Sequence, residues 1–208
     1  MRPISLFLAS SLSAFAVGAA ATALPTSIGD THYVRAVATT PPCGLIRVAD
    51  RATLSDGEIA HLYIQANLFE VDTAELGRAQ GTSPQVKQHG EAVAKDHGGV
   101  VKMFQELLLK TGIKPVADAG SAQRVAAHSK IVSDLKQKSG ADFDKAYISY
   151  EASNHRAVIK ALRETLIPAT QNPQVVAHFS AVLPAFEHHL AMTLDAAKAL
   201  GVDDGNVQ

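Results

Sequence analysis

Tryptophan is absent from this sequence of 208 residues, cysteine occurs once, and aromatic residues make up only 5%. A lone Cys43, in "TTPPCGL", cannot close an intramolecular disulfide, so no covalent staple holds the fold. It reads as a free thiol in a flexible segment, able to pair only with another chain. Net charge is scarce too, at −1, and without a basic stripe nucleic acid is not expected as a main partner. Strand-like alternation of useful length and internal repeats are missing. So are the motifs of common chemistry: no nucleophile elbow, no phosphate loop and no paired acids at a fixed spacing.

What is present is a helical composition, 47% hydrophobic with Ala and Leu prominent. The first residues, "MRPISLFLASSLSAFAVGAAATALP", combine a basic start at Arg2, an apolar run from Ile4 to about Gly18 and an A-x-A ending at Ala23. This pattern is that of a cleavable signal peptide over 1–23, the run being short for a membrane span. An uncleaved anchor is the alternative. No other stretch is long and apolar enough to span a bilayer, so a periplasmic or secreted protein is expected, its charge −2 once Arg2 is removed. Residues 24–52 are rich in Thr, Pro and Ala and read as a flexible linker.

From residue 53 the apolar spacing becomes helical. "LSDGEI" offers Ser55 and Glu58 as a capping box for a first helix, whose inward face runs Ile59, Leu62, Ala66, Phe69, Thr73 and Leu76 with Glu70 beside it. Ser83 and Pro84 open a second helix over about 84–111, ended by Gly112. A shorter, polar helix is expected at about 121–138. A third long helix covers about 142–167, and a fourth runs from Asn172-Pro173 to about Leu200, with a kink expected at Pro184 and a tail over 201–208. Four long amphipathic helices with an extra short one between the second and third predict an all-α four-helix bundle over 53–200. The long connection fits either a ferritin-type crossover or an up-and-down bundle with a side helix.

One row of the second helix reads Val86, Gly90, Val93, His97, Val100, Phe104, Leu107, in which His97 is the ionisable exception. The fourth helix repeats this with His189 in the row Val175, Phe179, Val182, Phe186, His189, Thr193, Ala196, Leu200. The third supplies His155 with Glu151 one turn earlier, and the first Glu70 with Asn67 one turn earlier. Each stands within about three residues, roughly 4–5 Å of rise, of the middle of its helix. Glu70, His97, His155 and His189 therefore form a candidate shell for one divalent transition-metal ion, zinc, iron, manganese or copper, with Asn67, Asp96 and Glu151 in support. The same side chains can instead hydrogen-bond one another as a metal-free polar pin. His61, His89, His128, His178 and His188 fall on polar or boundary positions, and His32 in the linker.

These residues also carry a resemblance. Asn67 to Glu70, Lys95-Asp96-His97, Phe143 to Tyr147 followed by His155, "LIPATQNP", and Pro184 followed by His189-Leu190 resemble the bacterial family called domain of unknown function 4142, over about 53–200. The resemblance implies an outer-membrane or periplasmic protein with a ferritin-like helical bundle, and no established reaction. The di-iron Glu-x-x-His pairs of ferritin-like enzymes are missing, because Ala94, Ala152 and Phe186 stand three residues before the histidines. Two functions remain ahead of a redox enzyme. One is an accessory or stress-related protein that binds a metal ion or small ligand at the bundle centre. The other is an interaction module of the cell envelope, with an envelope partner or a second copy of itself.

Overall fold

The computed structural model describes residues 54–203, so the signal, the linker, Cys43 and the end of the tail lie outside the described residues. Within them the chain is helical and has no strand: α1 (Asp56–Gln80), α2 (Pro84–Thr111), α3 (Ser121–Lys136), α4 (Gly140–Ala161), a π-helical turn (Leu162–Leu166), the single turn α5 (Ile167–Ala169) and α6 (Pro173–Ala199). None of these helices is long and apolar enough to cross a membrane.

Local chemistry sets the helix ends. Ser55 Oγ accepts from the Glu58 amide at 3.2 Å while Glu58 accepts from the Ser55 amide at 2.9 Å, which satisfies two donors that the first turn would leave bare. Ser83 caps α2 ahead of Pro84, and Asn172 Oδ1 accepts from the amides of Gln174 and Val175 ahead of Pro173. Gly112 ends α2 at φ 71°, a left-handed conformation that costs glycine no Cβ clash. The third long helix departs from expectation. It starts at Gly140, and after Ala161 widens into a π turn in which the Ile167 amide donates to the Leu162 carbonyl, so that Pro168 falls in a fresh first turn. α6 runs on continuously through Pro184.

Helix α1 packs on α2, α2 on α6, α6 on α4 and α4 on α1, with α3 lying against α1 and α4. Two aspartates fix the directions. Asp144, near the start of α4, accepts from the amides of Thr82 (2.9 Å) and Ser83 (2.7 Å) in the α1–α2 turn. Asp56, at the start of α1, accepts from Gln171 (2.8 Å) and Asn172 (3.0 Å) in the turn before α6. Consequently α2 and α4 run the same way, and the connection carrying α3 must return along the bundle. Gly90 lets α2 approach α1 closely, since a Cβ there would lie 2.4 Å from the Arg78 nitrogen and 2.6 Å from the Ala74 oxygen, while Gly77 makes room for the Tyr147 ring of α4. The buried apolar side chains fall into two groups, one around Tyr63, Phe104, Leu162 and Phe179, the other around Val86, Phe143, Tyr147 and Ala196. A polar layer separates them.

Candidate metal centre

Mid-helix positions on α2, α4 and α6 project His97, His155 and His189 into that layer, each at most 2% exposed. One ring nitrogen from each lies within 4.8 Å of the other two. Hydrogen bonds to the opposite ring nitrogens fix the tautomers. Asn67 donates its amide to the Tyr63 carbonyl (2.8 Å) and so turns its oxygen toward His97 Nδ1 (3.0 Å), which must carry the proton. His155 Nδ1 donates to the Glu151 carbonyl at 3.0 Å, and His189 Nε2 to the Asp96 carboxylate at 3.1 Å. What remains is three lone pairs: His97 Nε2, His155 Nε2 and His189 Nδ1. The first and last are 3.2 Å apart, and His155 Nε2 has no hydrogen-bond partner.

This arrangement suits a cation better than a proton. Two nitrogens bound at about 2.0–2.1 Å to one tetrahedral ion stand roughly 3.3–3.4 Å apart, close to the separation observed. Oxygen acceptors on the far nitrogens are what orient metal-ligating imidazoles elsewhere. Burial, then the neighbouring His155 and His189 rings, holds His97 well below the ordinary histidine range. Burial also lowers His189, against the raising effect of Asp96. Neutral imidazole is the ligating form.

Glu70 sits with different company. Its carboxylate, that of Glu151 and a ring nitrogen of His155 lie within 4.8 Å of one another, all at most 1% exposed. Asn154 donates its amide to Glu70 Oε1, a contact that helix facing alone had not singled out. His155 is thus common to two clusters, and the four residues expected to surround one point are divided between them. Asn67, Asp96 and Glu151 all touch the site, the last through both its carbonyl and its side chain.

Two histidines expected at polar or boundary positions are buried instead. His89 accepts at Nδ1 from the Tyr147 hydroxyl (2.9 Å) and donates at Nε2 to Thr193 Oγ1 (2.7 Å), whose own proton goes to the His189 carbonyl (2.7 Å). Both of its nitrogens are satisfied, so it braces the cluster rather than offering it a ligand. His128 is covered because α3 lays it flat on Phe69, ring centroids 4.0 Å apart. His188 is exposed, as its place one residue from His189 dictates.

A family profile described as Domain of unknown function (DUF4142) matches residues 46–196. The chain belongs to that family. The match takes in α1 through most of α6 and every residue of both clusters, so the DUF4142 domain and the polar layer coincide. Comparison with curated proteins and with solved structures gives no match.

Proposed function

We propose that this DUF4142 chain is an exported, ferritin-like four-helix-bundle protein that holds one divalent transition-metal ion at His97, His155 and His189, in an accessory or stress-related role rather than as an enzyme. One observation carries the metal: three imidazoles on three helices, each tied at its far nitrogen to an oxygen acceptor, aim three lone pairs at one another with no donor between them. A metal-free pin would need a proton between His97 and His189, and burial disfavours the charge that this proton brings. Nitrogen donors point to zinc or copper before manganese. The parallel course of α2 and α4 supports the ferritin-type crossover, and the leader-like residues 1–23 support export to the periplasm or beyond.

The test is zinc reconstitution of the purified full chain beside His97→Ala and His189→Ala. We expect one zinc per wild-type chain and none in either variant. At a hundredfold excess of free zinc over its Kd the wild type gains about 2.7 kcal/mol, a rise in Tm of roughly 5–10 °C. No stoichiometric metal and no rise in Tm would leave the polar pin, and with it the envelope interaction module. Zinc retained in both variants would put the ion elsewhere.

A further inference from the structure

Beside the trihistidine cluster the core holds an excess of hydrogen-bond acceptors. Glu70 Oε2, both carboxylate oxygens of Glu151 and Asn154 Oδ1 are buried without a partner. The nearby donors are few: the Thr73 hydroxyl, the one within reach of Glu151, is shared with the Phe69 and Glu70 carbonyls at 3.2 Å, and the Tyr147 hydroxyl faces His89. Among the described buried side chains the one Arg or Lys is Arg124, which is bonded to Asp118 and Gln65 on the α3 side. Two carboxylates in such surroundings are not sustained as a bare double anion, since desolvation penalises each by several kcal/mol. A shared proton would neutralise one charge and still leave two of these four oxygens unsatisfied. A divalent cation would neutralise both and supply a centre for several of them. His155, not an acid, is the third member of the group, its Nδ1 lying 3.5 Å from Glu151 Oε2.

We propose that Glu70 and Glu151, with the amide oxygen of Asn154, form a second cation site that takes a hard divalent ion of the Mn2+ or Mg2+ class. Carboxylate and amide oxygens prefer such ions, whereas the three imidazoles next to them prefer zinc or copper. His155 lies between the two sites, so the bundle centre is built for two unlike ions side by side. Asn154 contributes twice, its nitrogen steadying Glu70 and its buried, unpartnered oxygen being free to ligate. The second site needs none of the trihistidine ligand bonds, and each can fail without the other.

The experiment uses the zinc-treated full chain dialysed against excess Mn2+, with zinc and manganese measured per chain. Wild type is expected to hold one Mn2+, and His97→Ala to keep it while losing zinc. Glu151→Gln, which preserves shape and removes charge, should bind manganese at least tenfold more weakly and retain zinc; Glu70→Gln should behave likewise. Circular dichroism establishes that each variant folds. No manganese in the wild type overturns the proposal whatever the variants do. So does manganese that survives in both glutamine variants, or that is lost with His97→Ala while Glu151→Gln keeps it, because the ion would then be in the imidazole cluster.

Discussion

At the scale of single residues the polar layer depends on completeness, and Thr193 shows this best. Its hydroxyl accepts from His89 and donates to the His189 carbonyl, so one buried oxygen terminates a chain that begins at Tyr147. Thr193→Val keeps the volume and strands the His89 N–H, which should cost about 1–3 kcal/mol in urea unfolding of the metal-free protein. Thr193→Ser should recover most of the loss, and equal stability of Val and wild type would refute the chain as drawn. Sequence facing picked out His97, His155 and His189 because each interrupts a row that is otherwise apolar. His89 and Asn154 escaped it. Each stands three residues past an inward residue, Val86 and Glu151, and a row that steps by four at that point, to Gly90 or His155, passes over the neighbour at three that faces the core equally. Nothing in the sequence could have separated Glu70 from His97 and His189 while leaving it beside His155, since that depends on the relative heights of four helices.

At the scale of elements, helix ends were the most legible feature, because Ser55, Ser83, Gly112 and Asn172 act within a few residues of themselves. Faces were less so. Phe69 and Leu76 were expected inward and are half-buried, Phe69 lying against His128 of α3, while Tyr63 is covered by Phe104 and Phe179 and Glu70 by Asn154 of α4. The π turn had only Pro168 as a hint, and the choice among helical forms at Leu162 is made by packing rather than by residue type. Gly90 offers an element-scale test. On an open helix Gly→Ala gains up to about 1 kcal/mol. Here the new methyl meets α1 backbone at 2.4–2.6 Å, so Gly90→Ala should lower unfolding stability by about 1–3 kcal/mol despite the better propensity. A stabilised Gly90→Ala protein would mean that α1 and α2 are not held this close.

At the scale of the whole molecule the buried histidines set the response to acid. An unfolded histidine titrates near 6.5, whereas burial, then the neighbouring His155 and His189 rings, takes His89 down to about 3. Between those values the unfolded chain binds a proton that the folded chain refuses, so stability falls as pH drops below about 6.5. Each such group contributes about 1.4 kcal/mol per pH unit while the difference is complete. His97, His189 and half-buried His178 act in the same sense. Glu151 acts oppositely: burial and the adjacent Glu70 raise it, so above about 4.5 the folded state keeps a proton that the unfolded one releases. Several histidines against one carboxyl leave a net loss. The metal-free protein should melt at a lower temperature at pH 5 than at pH 7, and a flat or rising profile in calorimetry would contradict the burial of these rings.

The long return of the chain through α3 has a consequence for timing. Each hairpin, α1 with α2 and α4 with α6, is assembled from contacts near in sequence, but His97 sits in one hairpin and its partner His189, 92 positions later, in the other. Contacts of such separation carry a large closure entropy and belong to the slow part of folding. The two hairpins can therefore be fully wound while the centre does not yet exist. Helix content and cluster formation are separate clocks, and an ion held between the hairpins would be a clasp that closes last.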